Sequence, residues 1–286
     1  MKAYDPAGKF EIKVWDTEFR RSSSRTLMAR IYQPQREGPF PALLDLHGGA
    51  WNNQDRTANG PMDESLARSG LLVVAIDLTV APEAPYPASV ADANYGIRWL
   101  KANAPKWNGD VATVGALGSS SGGHIVELCA LRPADSRYKA HHLPEAPDTD
   151  ATLLYVITRS PVSDPYARYL NAERRAREEM IQFTKTYFNP WETIHEGNPQ
   201  EILDRRETVT LPPLLIMQGE LDDNVLPEVQ EKFAKSYRAA GGDCQYEVFE
   251  ACEHRWVAEP GPQTDRAAAM VKQFIARQLS RRKLAA

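Results

Sequence analysis

The strongest constraint on this chain is a series of short apolar runs that do not alternate with polar residues. They fall at 41–47 (PALLDLH), 71–78 (LLVVAIDL) and 111–118 (VATVGALG). A strand wet on one face alternates apolar and polar residues. A strand buried on both faces reads as these runs do, because helices cover each side of a parallel sheet. Helical patterns separate the runs. Residues 88–104 place Val90, Ala93, Ile97 and Leu100 on one face, with Pro87 before them as a start signal. Residues 121–131 follow the third run directly. The alternation resumes with 152–158, 213–219, a helix over 227–239, the run 245–250 and an amphipathic helix from about 264 to 279. This pattern predicts an α/β fold with a doubly wound, mostly parallel sheet. The segments 11–15 and 26–33 flank the polar stretch 20–25 (RRSSSR) and predict an antiparallel pair at an N-terminal edge.

A chain of 286 residues suits a single domain of this kind. One stretch breaks the rhythm: between Pro161 and Pro212 no strand run occurs. The segment is charged and rich in rings (Tyr166, Tyr169, Phe183, Tyr187, Phe188, Trp191), with a helical core expected near 172–187. An insertion at 161–211 packing its rings over the C-terminal edge of the sheet would form a lid above a ligand pocket. The run 173–179 (ERRAREE) reads as its solvated face.

Lys plus Arg number 34 against 38 Asp plus Glu, a net charge of −4 that gives no reason to expect nucleic acid as a partner. No apolar run approaches the roughly 20 residues that span a bilayer, so no membrane association is expected. The N-terminal residues carry no apolar signal region, and a cytoplasmic protein is expected. Cys129, Cys244 and Cys252 are too scattered for a disulfide framework or a metal site. Neither a metal nor an organic cofactor is implied.

The chemistry concentrates at Gly118-Ser119-Ser120-Ser121-Gly122-Gly123, between a buried strand and a helix. A G-x-S-x-G sequence in that context forces the central serine into a strained turn with its Oγ exposed, and only Ser120 has the right register. The flanking glycines are needed because a Cβ there would collide with neighbouring strands. His47-Gly48-Gly49-Ala50-Trp51 ends an earlier strand. Acyl transfer builds charge on a carbonyl oxygen, and the backbone N–H groups of Gly49, Ala50 and Ser121 are the expected oxyanion hole. His47 could serve as a base, but it precedes the serine, and the expectation is a histidine that holds the loop.

A serine hydroxyl needs an imidazole to take its proton. Of the histidines after the serine's helix, His141, His142 and His195 all precede the run 213–219. Only His254 follows every candidate acid beyond it. The acid belongs to the loop 219–225 (GELDDNV), where Asp222 is preferred to Glu220 and Asp223. His124 and Cys129, on the serine's helix, read as packing residues. Cys252 is assigned no chemistry.

These motifs, in this order, resemble the α/β-hydrolase superfamily over nearly the whole chain. The stretch 77–104, opening DLTVAPE, resembles that of hormone-sensitive-lipase-like esterases. Those esterases usually carry a third glycine where this chain has Ala50 and then Trp51. In that detail it is similar to kynurenine-formamidase-like and feruloyl-esterase-like relatives. The resemblance implies an α/β-hydrolase fold and a Ser-Asp-His serine hydrolase. The expected activity is cleavage of carboxylic esters of small to medium acyl groups. Trp51 and Trp256 are expected to line the substrate pocket with the lid rings. The rivals are an arylformamidase-like amide hydrolase and a ligand-binding protein without activity. The expected partner is a small-molecule ester or amide, and a homodimer is possible.

Overall fold

The computed structural model describes residues 4–21, 25–256 and 260–285. Serines 22–24 of the polar stretch lie outside the described residues. Eight strands among the described residues form one sheet: β1 (Ile12–Arg21), β2 (Thr26–Pro34), β3 (Phe40–Leu46), β4 (Leu72–Ile76), β5 (Gly109–Ser119), β6 (Val156–Arg159), β7 (Leu214–Gly219) and β8 (Cys244–Phe249). Their order is β1-β2-β4-β3-β5-β6-β7-β8. β1 pairs antiparallel with β2, and β2 antiparallel with β4; every later pairing is parallel. This is the α/β-hydrolase fold, with the antiparallel N-terminal edge in place.

The unbroken apolar runs follow from the layering. Side chains alternate across a strand, and here both faces are covered. In β3, Ala42, Leu44 and Leu46 enter one core cluster while Leu43 enters the other; in β4, Leu72, Val74 and Ile76 divide from Val73 and Ala75 in the same way. The first face packs α2 (Ala88–Asn103) and α3 (Ser121–Leu131), joined by a later helix over Pro227–Ala239. The second face packs α1 (Gly60–Arg68) and the C-terminal helix over Pro262–Ala285. Helix α1 was not expected from the sequence. Pro61 in its first turn, Asp63 in that turn and Arg68 in its last are start and stop signals, and Met62, Asp63, Leu66 and Ala67 form its short buried face.

Between β6 and β7 the chain forms α4 (Pro165–Arg174), α5 (Glu178–Tyr187), α6 (Thr193–Glu196) and α7 (Pro199–Asp204). The single helix expected over 172–187 is therefore two. It breaks where Arg175 leaves helical geometry and Ala176 takes φ +49°. α8 (Pro227–Ala239) and α9 (Pro262–Ala285) complete the chain. No helix among the described residues is long and apolar enough to cross a membrane.

The order β4-β3-β5 fixes where a site can form. The chain leaves β3 toward β4 on one side and later returns to β5 on the other, so a crevice opens at the carboxyl ends of β3 and β5. Those two ends carry the glycine loop and the serine turn.

Candidate active site

Ser120 sits at φ 52°, ψ −117°, between the last residue of β5 and the first of α3. Few non-glycine residues adopt such a conformation, and it costs about 1–3 kcal/mol. Its N–H donates to the Arg159 carbonyl (2.9 Å), while its own carbonyl accepts from His124 (3.2 Å) and Val162 (3.1 Å), so the turn is held from both sides. A Cβ on Gly122 would lie 2.3 Å from the carbonyl oxygens of Leu46 and His47, the end of β3. A Cβ on Gly118 would instead meet the Gly122 backbone at 2.5 Å. One glycine thus spares the neighbouring strand, and the other lets the turn close on its own helix.

The Ser120 Oγ lies 3.0 Å from Nε2 of His254, and His254 Nδ1 lies 2.8 Å from Oδ2 of Asp222. Asp222 follows β7 in a loop that wraps its carboxylate. Oδ1 accepts from the N–H groups of Asn224 (3.0 Å) and Val225 (2.8 Å), and Oδ2 also accepts from Gln218 Nε2 (3.0 Å). Burial pushes the Asp222 carboxyl up, but the hydrogen bond and charge of His254 and the Val225 N–H outweigh it. The net shift is below the ordinary carboxylate value. Asp223 points elsewhere, to Arg175 and Arg177, and Glu220 accepts from the Ala251 N–H. An imidazole held between an anion and a hydroxyl can take the hydroxyl proton and return it.

The glycine loop stands opposite. Gly49 (φ +92°), Ala50 (φ +50°) and Trp51 (φ +63°) are three successive left-handed residues. At Gly49 a Cβ would fall 2.1 Å from the Asn53 carbonyl oxygen, so only glycine fits. Among the described residues no hydrogen bond occupies the Gly49 or Ala50 N–H, and that of Ser121 is one of the unpaired donors opening α3. The Ser121 Oγ accepts the Trp51 N–H (3.1 Å) and ties the loop to the serine's helix. His47 is buried and bonds the Gly48 carbonyl through Nδ1 (2.9 Å), not Ser120. His141 lies against Asp92 and His195 against Glu201.

Two expectations about the pocket need correction. Trp51 does not line it. The left-handed run at 49–51 turns its indole inward, where it is 2% exposed. There the ring stacks on Tyr187 (4.8 Å, 5° between planes) and donates from Nε1 to His124 Nδ1 (3.1 Å). His124 Nε2 in turn donates to the Gly197 carbonyl (2.6 Å); with Nδ1 accepting from Trp51 the ring is neutral, and burial lowers its pKa to about 4. Trp256 is also absent from the wall, because it stacks on Phe249 at 4.3 Å, half-buried against the second core cluster. The rings of the insertion largely follow suit: Tyr187 and Phe188 close over Trp51, and Tyr169 packs on Trp191.

The cavity over Ser120 holds about 350 Å³. Its wall is more polar than the sequence suggested. Phe183 supplies an aromatic ring and Met62 and Met180 supply apolar surface, but Arg159, Arg168, Asn59 and Asn224 also face it. None of these four was singled out beforehand. The available signal was an arginine at the end of a buried strand run (Arg159) and one amid the apolar positions of α4 (Arg168).

The sequence model of the BD-FAE family matches residues 30–237, from β2 through α8. The chain belongs to the BD-FAE family. Esterase LipC of Mycobacterium tuberculosis is 30% identical over 210 residues, covering 70% of this chain and 49% of LipC. The chain thus spans about half the length of that relative, and a smaller share (34%) of carboxylesterase NlhH from the same organism, which is 33% identical over 109 residues. Among solved structures, esterase B from Lactobacillus rhamnosis superposes with a TM-score of 0.81 at 18% identity, covering 97% of this chain and 88% of that one. Thermogutta terrifontis esterase 2, phosphoramylated by tabun, gives 0.75 at 20% identity over 92% and 94%. For this BD-FAE chain the solved structures agree on the fold.

Proposed function

We propose that the protein is a serine carboxylesterase acting on esters of small to medium acyl groups, with Ser120 as nucleophile, His254 as general base and acid, and Asp222 as the residue that orients it. One observation carries this reading: the relay Ser120 Oγ–His254 Nε2–Asp222 Oδ2 at 3.0 and 2.8 Å, on the floor of a cavity faced by unpaired N–H groups. Ser120 Oγ attacks the ester carbonyl as His254 Nε2 takes its proton. The carbonyl oxygen becomes an oxyanion held by the N–H groups of Gly49, Ala50 and Ser121. Collapse breaks the C–O bond, and the leaving alkoxide departs as the alcohol with the proton from His254. Water then attacks the acyl-Ser120 ester, again giving its proton to His254, and the carboxylic acid leaves as the serine regains its hydrogen. Asp222 stays ionised throughout and stabilises the imidazolium.

Support also comes from the family membership and from similarity to proteins described as esterases. In this reading the chain is a single α/β-hydrolase domain and the insertion near 161–211 serves as a lid. Helix α5 places Glu179, Met180 and Phe183 on the cavity wall. A fluorophosphonate probe should label Ser120, and Ser120→Ala should abolish both labelling and turnover of an aryl acetate. Labelling elsewhere, or turnover that survives the substitution, would refute the assignment.

A further inference from the structure

The charges on the cavity wall are unbalanced. Arg159, Arg168 and Arg255 face it, against Glu179 as the carboxylate among the lining residues. Arg159 and Arg168 are both more than nine-tenths buried (2% and 4% exposed). A buried guanidinium without an anion is costly, because desolvation is then not repaid by an ion pair. Neither arginine has a carboxylate within 4.0 Å among the described residues. They differ in what lies behind them. Arg159 donates to the Ser119 Oγ (2.5 Å), and the buried Asp45 and Asp63 carboxyls nearby counter part of the cost of its burial.

Behind Arg168 the one attracting carboxylate among the described residues is that of Asp222. Arg168 rises from α4 and donates through Nε to Asn224 Oδ1 (3.1 Å), through Nη1 to Thr184 Oγ1 (3.4 Å) and through Nη2 to Met180 Sδ (2.9 Å). Its guanidinium stands 5.3 Å from the centre of the Trp51 ring. All three acceptors are neutral, one of them is a thioether, and the Thr184 contact is long. The acidic group that acts on Arg168 is Asp222, already bonded to His254. Three of the five guanidinium N–H groups are used, two remain, and Asn224 and Met180 line the same cavity. A carboxylate would accept two parallel N–H bonds in place of the weak thioether and hydroxyl contacts.

We propose that Arg168 is a specificity residue that receives a carboxylate carried by the substrate, so that the preferred esters bear a second, unesterified acid group. The inference rests on the esterase reading and narrows its substrate class. It replaces the expected ring-lined pocket with one matched to polar, anionic esters.

The test uses the full chain and matched ester pairs. For an acid on the alcohol side, 3-acetoxybenzoate is compared with 3-acetoxybenzamide; for an acid on the acyl side, monophenyl adipate is compared with phenyl heptanoate. In at least one pair the wild type should favour the anionic ester by about ten-fold or more in kcat/KM, the scale of a charge-assisted hydrogen bond. Arg168→Gln should erase that preference by lowering kcat/KM for the anionic ester about ten-fold or more beyond any loss on the neutral one, and Arg168→Lys should keep part of it. A merely structural Arg168 would lower both members of a pair by the same factor, and that result overturns the proposal. So does a wild type that favours the neutral ester in both pairs, whatever the variants do. Loss of the preference in Arg159→Gln but not in Arg168→Gln would reject the assignment to Arg168. Failure to cleave any of the four esters, with Ser120 unlabelled by fluorophosphonate, would instead bring down the esterase reading and this inference with it.

Discussion

At the scale of single residues, the site depends on groups that never touch a substrate. Asp222 keeps its charge in a buried loop because two backbone N–H groups and the Gln218 amide share it with His254. Asp222→Asn keeps the shape but removes the anion and allows the wrong imidazole tautomer. Steady-state kinetics should show kcat lower by about four orders of magnitude with the fold intact by circular dichroism. Ser121 illustrates a second dependence. Register excluded it as the nucleophile, yet its hydroxyl accepts the Trp51 N–H that holds the glycine loop. Ser121→Ala leaves that buried donor unpaired, so chemical denaturation should register a loss of about 1–3 kcal/mol. Because the loop carries the proposed oxyanion donors, kcat should fall more than KM rises. An unchanged kcat would mean that the loop holds its shape without this bond.

At the scale of elements, the insertion shows how backbone geometry overrides helical patterning. The sequence suggests a single helical core near 172–187, yet Ala176 at φ +49° separates α4 from α5. The break has a purpose in packing. It lets α4 present Arg168 and α5 present Met180 and Phe183 to one cavity, while Tyr187 at the end of α5 closes over Trp51. A left-handed alanine costs about 1–2 kcal/mol. Ala176→Gly should therefore raise the melting temperature by a few degrees at most, reduced by glycine's extra freedom in the unfolded chain, with kinetics unchanged. A lower melting temperature would show that the alanine methyl contributes packing worth more than the backbone strain.

At the scale of the whole molecule, the fold buries ionisable groups outside the proposed relay, and these contribute to its response to pH. Glu127, on the buried face of α3, meets the Ser163 hydroxyl at 2.9 Å, and burial raises its pKa to about 8. The folded protein therefore binds a proton there that the unfolded chain, with an ordinary carboxyl, releases above about pH 4.5. Stability from this group is complete below that value and is lost as pH rises toward 8. Glu127→Gln should flatten the decline in melting temperature over that window and be the more stable protein near pH 8.5. A variant that tracks the wild type at every pH would show that Glu127 ionises without cost. The layered α/β fold, the antiparallel edge and the serine, histidine and acid positions were legible in the sequence. Two-faced burial writes unbroken apolar runs, and a strained serine turn needs glycines at fixed spacing. The lining of the cavity was not legible. Trp51 and Trp256 looked like pocket residues because they neighbour the motifs, but adjacency along the chain does not fix the direction of a side chain: three left-handed residues in a row turn Trp51 inward, and Trp256 lies on the Phe249 ring. Arg159 and Arg168 lie 39 and 48 residues from Ser120 in sequence (159 − 120 and 168 − 120) and reach its cavity only through the pairing of β6 with β5 and the fold of the insertion over it. The order of the chain determined which groups exist and on which elements. Tertiary packing alone decided which of them face the same space, because that depends on contacts between segments that local sequence does not encode.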